Sequence, residues 1–169
     1  MSPPKVVERV LDAAELESGM SVLEPSAGNG ALAKVAAAEG CEVHCVERYP
    51  KLSAGLLDVP GIVGLTTGDF LEVPPDQYPE LFDRVLMNPP FSKGQDIQHV
   101  RHALRFLKPG GLLVAVMSSG VAWHKDKTAT NFRELVEQRG GHIEPLPDDA
   151  FATSGTDVRT VLAVIPAEA

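Results

Sequence analysis

Residues 112–117 read Leu-Leu-Val-Ala-Val-Met, six apolar side chains in a row. A strand wetted on one side alternates apolar and polar residues, so a strand apolar at every position is covered on both faces. A chain containing it must supply cover for two sides of a sheet. The rest of the sequence does so by alternation. Val6, Val7, Val10, Leu11 and Ala14 are spaced for a helix over 4–14, closed by Gly19. Met20–Glu24 reads as a strand, a small-residue turn follows, and Ala31, Leu32, Val35 and Ala36 begin a helix ending at Gly40. Cys41–Glu47 is a second strand, Pro50–Leu57 a short helix, Ile62–Leu65 a third strand and Leu71–Pro79 a proline-rich loop. Phe82–Met87 is a fourth strand. Asp96 then caps a helix bearing Ile97, Val100, Ala103, Leu104 and Leu107, which Lys108-Pro-Gly-Gly111 stops. After strand 112–117 come a loop from Gly120 to Lys127, a helix over 129–139, and strands at Ile143–Leu146 and Val158–Ile165. Strands alternating with helices predict an α/β fold: a mostly parallel sheet with helices on both faces, in one domain spanning 1–169.

Several function classes drop out. The net charge of −8 opposes a grip on nucleic acid by bulk electrostatics, which needs clustered Lys and Arg. No apolar run reaches membrane-spanning length and the start is no signal peptide, so no membrane partner is expected and the cytoplasm is the default location. The cysteines flank His44 in Cys41-Glu-Val-His-Cys45. On a strand, both thiols share one face, about 13 Å apart, and the imidazole takes the other. That excludes a disulfide or a shared ion, and leaves two small buried residues in a reduced compartment. No metal is expected.

The fourth strand ends in Asn88-Pro89-Pro90-Phe91. Neither proline can donate to a ladder, and Pro89 biases Asn88 away from helical geometry, so a stiff elbow forms at the strand's C-terminal end. The Asn88 side-chain oxygen and the Pro89 carbonyl are both acceptors and together can hold the two hydrogens of a planar –NH2 group. Phe91 can stack on the ring that carries it. The alternative is a turn in which Asn88 closes an Asx-turn.

In parallel sheets ligands bind beyond the C-terminal strand ends, where the strand order reverses. The other strand ends here carry Glu24 with Pro25-Ser26-Ala27-Gly28-Asn29-Gly30, then Glu47-Arg48, then Asp69-Phe70. Gly28 and Gly30 let a ligand approach the backbone, and the following helix N-terminus favours an anion. The turn lacks the third glycine of a dinucleotide fingerprint and the Gly-Lys-Ser/Thr of a P-loop. Glu24 beside it would repel a pyrophosphate and suits a cationic amine. Glu47 can take both hydroxyls of a ribose. Asp69 can accept from an adenine amine, with Phe70 supplying a backbone N–H or an apolar wall. A ligand with sulfonium, ammonium, carboxylate and ribose meets these demands: S-adenosyl-L-methionine. Taken singly, Glu47 is equally a solvated strand end and Asp69 a turn former.

Val22-Leu-Glu-Pro-Ser-Ala-Gly-Asn-Gly30 together with Asn88-Pro-Pro-Phe91 resembles the Rossmann-type S-adenosylmethionine-dependent methyltransferases, in particular the adenine-specific DNA amino-methyltransferases of phages and mobile elements. The resemblance implies a Rossmann-like three-layer sandwich whose sheet has seven strands, the last antiparallel, made by a hairpin of roughly 142–165. It implies Asn88, Pro89, Pro90 and Phe91 as catalytic residues, and a cofactor site of Glu24, Pro25, Ser26, Ala27, Gly28, Gly30, Glu47, Arg48, Asp69, Phe70 and Asn88. It implies a nucleic acid substrate, DNA favoured over RNA. Sequence-specific members carry a target-recognition region, and none is expected here, which leaves room for an accessory specificity partner. Related Asn-Pro-Pro-Phe/Tyr enzymes modify RNA guanine or a protein glutamine. The alternatives are therefore an RNA or protein amide methyltransferase, or a non-catalytic cofactor-binding subunit.

Around this core, Ser92, Lys93 and Gln95 follow the elbow. Arg101, Arg105 and Lys108 form a solvated face or meet phosphates. His99 and His102 read as surface residues. Trp123-His124-Lys125 forms a lid or stacking wall, or Trp123 packs, and Ser154-Gly-Thr156 is a further rim.

Overall fold

A computed structural model describes residues 4–147 and 159–168. The elements are α1 (Pro4–Ala14), β1 (Ser21–Glu24), α2 (Ala31–Ala38), β2 (Glu42–Glu47), α3 (Pro50–Ser53), β3 (Ile62–Thr67), β4 (Phe82–Met87), α4 (Gln95–Leu104), β5 (Leu107–Ser118), α5 (Lys127–Gln138), β6 (His142–Pro145) and β7 (Thr160–Pro166). They build one seven-stranded sheet in the order β3-β2-β1-β4-β5-β7-β6. The pairs from β3 to β5 are parallel, and β7 runs antiparallel to both β5 and β6. This is the α/β sandwich expected from the sequence. The strand order reverses between β1 and β4, so the ends carrying Glu24 and Asn88 stand side by side.

The apolar run 112–117 explains the layers. Leu113, Ala115 and Met117 pack with Val100 of α4 and Phe132 of α5 on one face. Val114 and Val116 pack with Val6 and Val10 of α1 and Ala36 of α2 on the other. The cysteines and His44 part as the pleat demands. Cys41 and Cys45 are free and buried in the α1–α2 layer, and burial, aided by nearby Glu24, pushes the Cys45 thiol up to about 12. His44 instead meets Tyr78 and Phe82 edge-on across the sheet.

Three boundaries differ from the expectation, each for a physical reason. Gly19 does not end α1. The helix stops at Ala14, Glu15 turns left-handed at φ 50°, and Arg84 from β4 donates through Nε to the Ala14 carbonyl at 2.6 Å. β5 begins at Leu107 rather than 112, because Phe82 pairs with Leu107 before the register jumps to Arg84 with Leu112. The Pro-Gly-Gly segment is thus an excursion inside a strand. Asp96 does not cap α4. Gly94, at φ 73°, occupies that position and the helix starts at Gln95. Asp96 is turned inward, 1% exposed, and its Oδ2 accepts from the backbone N–H and hydroxyl of Ser118 at 2.9 and 3.0 Å. That bond fastens the start of α4 to the end of β5. Among the described residues no helix is long and apolar enough to cross a membrane.

Candidate active site

Glu24, the last residue of β1, is 2% exposed and accepts the Ser26 N–H at 2.9 Å. Burial raises its pKa well above the ordinary carboxylate value, against the pull of the Ser26 N–H and reinforced by Glu47. The turn after it is pinned to β2. The Ala27 N–H donates to the Val46 carbonyl at 3.0 Å, and the Gly30 N–H closes back on the Ala27 carbonyl at 2.8 Å. Glu47 completes the clamp, taking the Gly28 N–H on one oxygen at 2.9 Å and the Tyr49 N–H on the other at 2.7 Å. A carboxylate offers about four lone-pair sites, so two remain for hydroxyl groups of a ligand. Sequence reasoning gave Glu47 a ligand and missed that it also holds the glycine turn.

The two glycines serve different ends. A Cβ on Gly28, at φ 56°, would meet nothing within 4 Å, so this backbone lies open to a ligand. A Cβ on Gly30 would stand 2.3 Å from Leu56 Cδ2. Gly30 therefore answers to packing under the turn, in addition to its left-handed φ of 88°.

Glu24, Ser26, Gly28, Leu32 and Asn88 line a cavity of about 200 Å³. Beside it, Glu47, Arg48, Asp69, Phe70, Pro90 and His99 line a second of about 380 Å³, to which Pro25 and Ser26 also contribute. Ser26 borders both, and its hydroxyl oxygen is buried without a hydrogen-bond partner. Asp69 uses one oxygen for the Leu71 N–H at 3.0 Å, the turn-forming role, while lining the second cavity. The Phe70 ring is 2% exposed and stacks into the core on Phe106 and His102, so this cavity rests on a fixed apolar floor.

The elbow follows β4 directly. Asn88 is half-buried and faces the first cavity, Pro89 is buried, and Pro90 borders the second. Phe91 is half-buried and lines a third cavity of about 410 Å³ with Ser118, Val121 and His124. Residues 88–91 therefore form a wall between the first two cavities and a third.

The remaining residues fall in several places. His99 and His102 are half-buried beneath the second cavity. His102 donates through Nε2 to the Val73 carbonyl at 2.7 Å, and His99 lies 6.0 Å from the Phe70 ring. Arg101 and Arg105 belong to the opposite end of the sheet, where Lys108 pairs with Asp83 at 3.7 Å. Trp123 is 64% exposed on a braced loop: Arg133 donates to the Val121 carbonyl at 2.9 Å and the His124 carbonyl at 2.7 Å. Ser154 to Thr156 lie outside the described residues.

The family described as a methyltransferase domain matches residues 3–154 of this chain. The chain belongs to that family. This methyltransferase domain is similar to a solved chain from a study of type I R-M system assembly, at 22% identity and TM-score 0.81, covering 99% of this chain and 42% of that one. It is similar to a modification subunit of a putative type I restriction enzyme from Vibrio vulnificus YJ016, at 20% identity and TM-score 0.76, covering 98% and 44%. It is also similar to an RNA methyltransferase from Salinibacter ruber solved with S-adenosyl-L-homocysteine, at 17% identity and TM-score 0.61, covering 98% and 92%. At these identities the likeness is one of fold. The domain spans less than half the length of the first two. No curated protein matches the chain. The expected cofactor fits the methyltransferase site. Glu24 offers a buried carboxyl group whose raised proton affinity a neighbouring cation would lower, Glu47 and Asp69 offer spare acceptors, and the orphaned Ser26 hydroxyl marks a polar position that the protein itself does not fill.

Proposed function

We propose that this chain transfers a methyl group from S-adenosylmethionine to the exocyclic amine of adenine in DNA. One observation carries the reading: Asn88 faces the cavity floored by Glu24 and the glycine turn, while Phe91, three residues on, faces a separate cavity. A base stacked on Phe91 in the third cavity then directs its amine over the rim of the elbow to Asn88, which borders the donor cavity. Bound in the first two cavities, the cofactor supplies an electrophilic methyl on a sulfonium. The Gly28 backbone and the α2 N-terminus receive its carboxylate, Glu24 its ammonium, Glu47 its ribose hydroxyls, and Asp69 with the Phe70 N–H its adenine. Arg48 closes the outer edge.

Asn88 Oδ1 and the Pro89 carbonyl hold the two amine hydrogens, which turns the nitrogen lone pair out of conjugation and toward the methyl. Phe91 stacks on the base, extruded if it comes from a duplex. As the new N–C bond forms, the C–S bond breaks and sulfur keeps its electrons. The amine proton then leaves to water, so no strong base is needed.

Grip on the polynucleotide is local. Trp123, held by Arg133, offers a stacking platform, and exposed Lys93, Lys125 and Lys127 offer cations beside the third cavity. The charge of −8 favours a second reading, in which a partner supplies part of the grip. Incubation with methyl-labelled cofactor and DNA, RNA or protein tests the proposal. Label in DNA N6-methyladenine supports it, and label confined to RNA or protein moves the substrate elsewhere.

A further inference from the structure

His99 is the group in this region that the mechanism does not use. It projects from α4 and lines the same cavity as Glu47 and Asp69. Its Nδ1 is buried and has no hydrogen-bond partner. Its neighbour His102, one turn on, is by contrast fully engaged, with Nε2 on the Val73 carbonyl and its ring on Phe70. Burial lowers the pKa of His99, offset in part by Asp69, so the ring is neutral near pH 7. A neutral imidazole carries one N–H, and a buried unpaired N–H costs more than a buried unpaired lone pair. The proton therefore sits on Nε2. The side of the cavity formed by α4 thus carries a donor, while Asp69 contributes an acceptor. A donor beside an acceptor is the complement of an adenine edge, where a ring nitrogen lies next to the exocyclic amine.

We infer that His99 is a specificity-determining residue for the cofactor, its Nε2–H donating to an adenine ring nitrogen adjacent to the amine that Asp69 accepts. The inference rests on the cofactor placement proposed above. It assigns to α4 a direct role in reading the base, beside the strand-end Asp69.

Titration calorimetry with S-adenosylhomocysteine tests it without any turnover. His99→Phe keeps a flat ring on Phe70 and removes the donor, and its affinity should fall about five- to tenfold. His99→Gln, whose amide reaches the Nε2 position, should retain most of the affinity. His99→Asn, which reaches only the Nδ1 position, should not. The wild type should lose a similar factor toward either the 1-deaza or the 7-deaza analogue, and His99→Phe should bind that analogue and the parent equally. Unchanged affinity in His99→Phe, or equal discrimination among the analogues by wild type and variant, would overturn the inference while leaving the cofactor site standing. Failure of the folded wild type to bind S-adenosylhomocysteine at all would instead remove the site on which it rests.

Discussion

Glu24 shows how a single side chain couples stability to ligand. It is fully enclosed, and burial keeps its proton affinity above that of an unfolded chain. The folded state then binds the proton more tightly than the unfolded one, so stability falls as pH rises from the unfolded value, near 4.5, through the raised folded value. In the proposed placement the cationic groups of the cofactor relieve that cost. Glu24→Gln should accordingly melt at a higher temperature than wild type at pH 7 without cofactor, the gap closing toward pH 4.5, and should bind S-adenosylmethionine more weakly. Thermal melts across pH, with and without cofactor, read both effects; a lower melting temperature for the variant at pH 7 would contradict the burial argument. His99 is the counterpart on the far side of the site, a residue defined by a nitrogen that the protein leaves unpaired.

At the scale of elements, the elbow is rigid because both of its ends are fixed. Met87 is locked in β4 opposite Ala115, and eight residues after Asn88 the Asp96 carboxylate holds the end of β5. Between them the chain turns left-handed at Lys93, φ 55°, and Gly94. Asp96→Ala removes the partner of the half-buried Ser118 N–H and hydroxyl, which should cost about 1 kcal/mol in urea denaturation. It should also slow methyl transfer more than it weakens cofactor binding, since Asp96 and Ser118 line the third cavity with Phe91 and not the first. Much of this level was legible in the sequence. The apolar run 112–117 and the acids at the strand ends gave the layers and the line of the site. The Asp96 cap was misread because a one-dimensional pattern cannot tell an acid at a helix start from one that bonds a strand many residues away. Gly94 holds the N-cap position that the pattern credited to Asp96. Glu47 and His99 show the same limit. Their partners, or lack of them, depend on which elements the fold brings together.

For the molecule as a whole, the proposed substrate poses the question of how an acidic domain would engage a polyanion. Three exposed lysines beside the third cavity allow few phosphate contacts, and Arg101 and Arg105 lie at the wrong end of the sheet to add to them. With duplex DNA the slope of log affinity against log salt should therefore be no steeper than about −3, and Lys125→Ala with Lys127→Ala should flatten it further. A slope several units steeper would show that an unrecognised basic surface or a partner carries the contact. The account as a whole depends on the wall at Asn88 joining a methyl donor to an amine, and one comparison tests it most directly. Cofactor affinity and single-turnover methyl transfer to DNA are measured side by side for wild type and Asn88→Ala. The account predicts nearly unchanged affinity with transfer reduced by at least two orders of magnitude, roughly the loss seen when one electrostatic contact to a reacting group is removed. Wild-type rates in the variant would contradict it.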